Sequence, residues 1–295
     1  MEIYDNTIMI KTDLTPGSLN NLDYAINLAI DLKKALLLLF INTPELYNLC
    51  LREKTGYALP AFDQKEREQI KEQCEVNMKK FIKRVKKTYR NAPPINYFIE
   101  DGQITEKIIS VANMKKADMV IFNNMKEEAG SRLYNSYYTS VEMIVKSLEC
   151  PVLIMPENHD YRKFNNIVYL TDNREEDFLV LKKLSSLFSP FNPEIIAMNI
   201  CENVDFELAI SSMGFQKMIR TKTGNNKIRV RTVKNENGNF FGYMEKINSE
   251  YKADLIVLLK EYGSFIEWIF NPDPVKNILK DSGMPVMLYS ENINS

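Results

Sequence analysis

His159 is the only histidine among 295 residues. Two-histidine metal centres are therefore excluded, and any Ser-His or Cys-His nucleophile would depend on one ring just past a strand. Cys50, Cys74, Cys150 and Cys201 are far apart. They form no Cys-x-x-Cys pair and have no neighbouring histidine to complete a zinc site, so buried free thiols are expected. What remains is oxygen chemistry at the ends of apolar runs: Thr12-Asp13 closes IMIKTD and Thr171-Asp172 closes IVYLTD. An acid at the carboxyl end of a parallel strand lies where open α/β sheets meet their ligands. The same side chain also stabilises turns and caps helices by accepting from local amides, so both roles stay open for Asp13 and Asp172. Thr12 and Thr171 share the ambiguity.

These residues must be positioned by the surrounding elements, which alternate between two periodicities. The apolar runs Ile8–Ile10, Ala35–Ile41, Ile95–Ile99, Met119–Phe122 and Pro151–Met155 read as short buried strands. Between them, Leu22, Ala25, Ile26, Ala29 and Leu32 share one helical face. Ile70, Cys74, Met78, Phe81 and Val85 form a narrow stripe on a long polar helix from about 63 to 89. Ile104, Ile108, Val111 and Ala112 mark a further helix opening at Asp101-Gly102. A polar loop from Asn123 to about Tyr138 precedes a helix carrying Val141, Ile144, Val145 and Leu148. Strands joined by helical crossovers imply a parallel sheet covered on both faces.

The second half repeats this order. KKADMVIF (115–122) matches YKADLIVL (251–258), IVKSLECPVLIMPEN (144–158) matches ILKDSGMPVMLYSEN (278–292), and the two Thr-Asp openings agree. Ordered matches of this kind indicate a tandem duplication. The expected domains are residues 1–157 and 163–295. The length accommodates two such units.

The strand-Thr-Asp opening, the Lys/Tyr-Lys-Ala-Asp strand, the Asp101-Gly102 helix start, and the Cys150-Pro151 and Met284-Pro285 steps into the last strand together resemble the universal stress protein family, in its tandem two-domain form. The resemblance implies two Rossmann-like α/β units, each an open five-stranded parallel sheet with helices on both faces. It also implies that the last strands, Val152–Met155 and Val286–Tyr289, meet within the chain. Family members that bind nucleotide carry Gly-x2-Gly-x9-Gly-Ser/Thr, whose glycines let the backbone approach the phosphates at a helix N-terminus. Here those positions fall on Lys126, Ala129, Thr139 and Ser140 in the first half, with Gly130 one place off register. In the second half they fall on Lys260, Gly263, Asp273 and Pro274.

By the same resemblance, Thr12, Asp13, Ile41, Lys126, Gly130, Thr139 and Ser140 are the candidate crevice for ATP or AMP. Asp172 and Gly263 belong to a degenerate second one. No cofactor is expected, and no metal or catalytic residue is assigned. The expected function is a non-enzymatic stress-response protein with weak or absent nucleotide binding. The alternatives are an ATP- or AMP-binding sensor and an ATP hydrolase using the first crevice.

Charge and hydropathy bound the partners. Lys+Arg 38 against Asp+Glu 39 offers no global attraction for nucleic acid or anionic membrane. MEIYDNTIMI has no basic leader and the run 35–41 is too short to span a bilayer, so a cytoplasmic protein is expected. Basic residues from Lys79 to Lys87 read as a solvated helix face. Tyr134, Tyr137 and Tyr138 either stack on a base or cover the crevice. A homodimer is expected, and Trp268, within SFIEWIF, reads as packing, as a lid over the second crevice or as an interface patch.

Overall fold

The apolar runs become the strands of a mostly parallel sheet. The computed structural model describes residues 6–14, 16–42, 64–123, 132–156, 159–201, 206–234, 247, 249–260 and 284–290. The strands are β1 (Thr7–Lys11), β2 (Ala35–Asn42), β3 (Ile95–Asp101), β4 (Met119–Asn123), β5 (Val152–Met155), β6 (Asn166–Leu170), β7 (Glu194–Cys201), β8 (Ile228–Lys234), β9 (Leu255–Lys260) and β10 (Val286–Ser290). The helices are α1 (Pro16–Leu32), α2 (Gln64–Thr88), α3 (Ile104–Met114), α4 (Arg132–Ser147), α5 (Glu176–Leu187) and α6 (Phe206–Thr223). The chain divides into two compact units, Met1–Val120 and Ile121–Ser295, with the division inside β4.

In the first unit β1 pairs parallel with β2, Thr7 opposite Ala35, and β2 pairs parallel with β3, Leu36 opposite Ile95. β1 and β2 have almost no exposed side chains because helices need both sheet faces as a floor. The faces predicted for the helices are the buried ones. Leu22, Ala25, Ile26 and Ala29 are fully buried on α1, Met78, Phe81 and Val85 are buried on α2, and Ile108, Val111 and Ala112 are buried on α3.

In the second unit β6, β7, β8, β9 and β10 run parallel, and β10 pairs antiparallel with β5, Val286 opposite Ile154. Its strand order β5-β10-β9-β6-β7-β8 makes a six-stranded run. The sheet is larger than five strands because the last strands, β5 and β10, meet within the chain, as the resemblance implied. Val152, Leu153, Met287 and Leu288 are all within 2% of fully buried, and pairing them hides two apolar edges that would otherwise template association. A correction concerns α4, which starts at Arg132, earlier than the polar composition before Tyr138 suggested. Cys74, Cys150 and Cys201 form no disulfide and are half-buried rather than buried.

The repeat is visible in backbone geometry. The run β3-β2-β1 of the first unit recurs as β8-β7-β6 in the second. Lys116 and Lys252, the second residues of KKAD and YKAD, both take left-handed backbone, with φ of 48° and 47°. In each motif the aspartate amide then opens the new strand, Asp118 N–H donating to Thr7 O (2.9 Å) and Asp254 N–H to Asn166 O (2.8 Å). A side chain in this region costs roughly 1–2 kcal/mol, part of which glycine returns through its freer unfolded chain. Lys116→Gly and Lys252→Gly are each expected to stabilise by about 0.5–1 kcal/mol, raising the melting midpoint by about 2 °C in calorimetry. Loss of stability in both would show that the lysine side chains, not the backbone, matter there.

Candidate functional site

At the carboxyl end of β1 the backbone turns sharply into α1. Thr12 is 2% exposed. Its N–H donates to Leu39 O at 2.9 Å, which extends the β1–β2 ladder by one residue. Its hydroxyl accepts from Leu14 N–H at 3.0 Å and lies 3.3 Å from the Ser18 hydroxyl on α1. Leu14 sits at φ 59°. A threonine hydroxyl that accepts from the amide two residues on closes a turn without help from neighbouring elements.

The end of β6 repeats this arrangement at a constant offset of 159 residues. Thr171 N–H donates to Met198 O (3.0 Å), Asn173 N–H donates to the Thr171 hydroxyl (2.8 Å), and Asn173 has φ 61°. The difference lies at the position of Ser18, which is Asp177 here. Its carboxylate accepts from the Thr171 hydroxyl, from the Tyr169 phenol and, at 2.8 Å, from Arg174 N–H. Asn199 completes the cluster by donating to Thr171 O at 3.0 Å. Asp177 is 3% exposed. Burial pushes its carboxyl above the ordinary 3.8, and the Thr171, Tyr169 and Arg174 donors oppose that shift. Tyr169 is driven well above 10, first by burial and then by the Asp177 charge, which keeps it a neutral donor.

The other predicted site residues separate. Asp13 is half-buried in the β1–α1 turn. Asp172 is exposed and forms an ion pair with Arg174 at 3.4 Å. Ile41 is 1% exposed and pairs with Glu100, so its side chain belongs to the core. The next residue, Asn42, donates to Asp101 Oδ1 at 2.9 Å and supplies the polar group at that strand end. Ser140 is half-buried on α4, and Thr139 lies in the same helix. Lys126, Gly130 and Gly263, like Ala129, Asp273, Pro274 and Trp268, lie outside the described residues.

Ser18, Asn42, Tyr169, Asp177 and Asn199 were not singled out from the sequence. Aligning the two Thr-Asp openings would have placed Asp177 opposite Ser18. Nothing local shows that Tyr169, facing into the core from β6, reaches it. Among the described residues no group of three or more His, Cys, Asp or Glu is placed to hold a metal. No described helix is long and apolar enough to cross a membrane.

Chemically, the two turns differ in one respect. The first presents neutral hydroxyls, Thr12 and Ser18, beside the start of α1. The second carries a carboxylate beside the start of α5, so an anion approaching the helix amides there meets like charge.

No protein-family model and no curated protein sequence matches this chain. Solved structures do. A universal stress protein from Archaeoglobus fulgidus superposes with a TM-score of 0.66 at 14% identity, covering 97% of this chain and 96% of its own. A putative universal stress protein from Pseudomonas aeruginosa gives 0.53 at 11% identity, covering 98% and 94%. The cytoplasmic domain of a prokaryotic cation chloride cotransporter gives 0.52 at 11%, covering 98% and 97%. At such identities the likeness speaks for architecture, and over nearly its whole length this chain has the universal stress protein fold.

Proposed function

We propose that this chain is a non-enzymatic, universal-stress-protein-like protein of the stress response, with residues 1–157 and 163–295 as its two repeats. Its second crevice is closed to nucleotide, and any weak ATP or AMP binding is confined to the first. The observation that carries this reading is Asp177, a buried carboxylate where the first half has Ser18. A phosphate beside α5 would face that charge, whereas the equivalent position beside α1 holds the neutral Ser18 hydroxyl. The replacement of the family's glycines by Lys126, Ala129 and Thr139 supports weak binding even in the first half.

Fold alone does not choose between functions, as the cotransporter's cytoplasmic domain illustrates. The deciding experiment is calorimetric titration of Mg-ATP and AMP into the full chain stripped of ligand, with ADP release followed in parallel. Weak binding sensitive to Asp13 and Ser140, without turnover, supports the reading. Sustained ADP release favours the hydrolase alternative.

A further inference from the structure

The outward face of α6 is apolar where a solvated helix is ordinarily polar. Phe206 is 80% exposed, Ile210 53% and Met213 74%. Their spacing puts them on one side of the helix, and Lys217 continues the same stripe. The opposite side, Phe215 and Ile219, is buried at 5% and 0% and anchors the helix. Single exposed apolar residues are unremarkable in a folded protein, but a contiguous stripe marks an interaction surface.

The polar groups framing this stripe select its partner. Glu207 lies in the first turn, Lys217 in the stripe, and Arg220 in the last turn, all exposed. Gly214 flanks Met213, and a Cβ there would meet nothing within 4 Å, so the helix carries a notch open to a second backbone. We propose that this face of α6 seats a second copy of this chain, the two α6 helices lying antiparallel across a two-fold axis. An axis at the level of Ser212 puts Glu207 of each copy level with Lys217 in the other. It also puts Ile210 level with the Gly214 notch. Acid then meets base twice, the apolar stripes cover each other, and the helix dipoles oppose, all from one self-complementary patch. A dimer of this kind does not involve the Trp268 segment and does not depend on nucleotide.

One helix pair buries less than the roughly 1,200 Å² of a standard interface, so the dimer is weak, with a dissociation constant of about 10–100 μM. Sedimentation equilibrium of the full chain between about 5 and 500 μM spans that range. The wild type is expected to shift from monomer to dimer, and Ile210→Glu with Met213→Glu to weaken association at least about tenfold. Glu207→Lys alone is expected to weaken it, and Glu207→Lys with Lys217→Glu to restore it. These positions are exposed, so melting curves should match the wild type, which separates lost association from lost folding. A monomer at every concentration would overturn the proposal. So would a dimer indifferent to the glutamates, which locates the contact elsewhere, or a charge swap that fails to restore, which excludes the antiparallel two-fold.

Discussion

Replacing Asp177 by alanine is expected to destabilise the protein by about 3–5 kcal/mol, the range found when one partner of a buried charged network is removed. The loss comes less from the missing carboxylate than from what it leaves behind. The Tyr169 phenol and the Thr171 hydroxyl, on residues 0% and 6% exposed, would be donors without an acceptor, and Arg174 N–H would lose its own. Each orphaned buried group costs about 1–3 kcal/mol. Urea unfolding checks this, and an unfolding free energy within about 1 kcal/mol of wild type would show that water substitutes for the carboxylate. The triple variant Tyr169→Phe, Thr171→Val and Asp177→Leu removes donors and acceptor together and is expected to recover much of the loss.

The same residue imposes a pH dependence of unusual sign for a carboxyl. Its folded pKa lies above 3.8, chiefly through burial, so folding takes up a proton between the unfolded and folded values. Its contribution is complete below about 3.8 and is lost as pH rises through the folded value. Asp177→Asn cannot titrate. The stability difference, wild type minus Asp177→Asn, is therefore expected to shrink as pH climbs from below 3.8 toward neutrality. A difference that grows with pH would mean that the three donors outweigh desolvation and hold the carboxylate ionised.

The largest effect expected on ligand binding is in nucleotide affinity. On the resemblance, side chains at Lys126, Ala129 and Thr139 would stand in place of hydrogens where the backbone of nucleotide-binding members approaches phosphate. On the same resemblance Asp273 would add negative charge and Pro274 would remove an amide in the second half, where Asp177 places a carboxylate beside the start of α5. Losing one charge-assisted contact costs roughly 1.5–3 kcal/mol, so losing two lowers affinity by about two to four decades. Any residual heat from Mg-ATP should vanish in Asp13→Ala or Ser140→Ala and survive in Asp172→Ala and Gly263→Ala. Micromolar binding abolished at Asp172 or Gly263 would mean that the halves were ranked wrongly. Micromolar binding at either crevice would mean that the glycines are dispensable.

What the sequence determined by itself was the set of elements and the duplication. Apolar spacing is a local consequence of which face a strand or helix must bury, so the faces of α1, α2 and α3 could be read from periodicity, and repeated motifs carried the order of the strands. α4 starts at Arg132, before its apolar stripe begins, because a polar first turn resembles a loop in composition until tertiary contacts support it. The meeting of the last strands was implied by the family resemblance and not by any residue pattern; the tertiary structure supplied its antiparallel register, Val286 opposite Ile154. Whether Val152–Met155 and Val286–Tyr289 are edges depends on pairing between residues some 130 positions apart, which no local pattern encodes. It also decided the character of the second Thr-Asp turn. Asp172, prominent in sequence, is exposed beside Arg174, while Asp177 is buried because Tyr169, Thr171 and the Arg174 amide converge on it from β6 and the following turn. Convergence of that kind is a property of the folded chain: a carboxylate stays buried only where donors from separate positions are held around it.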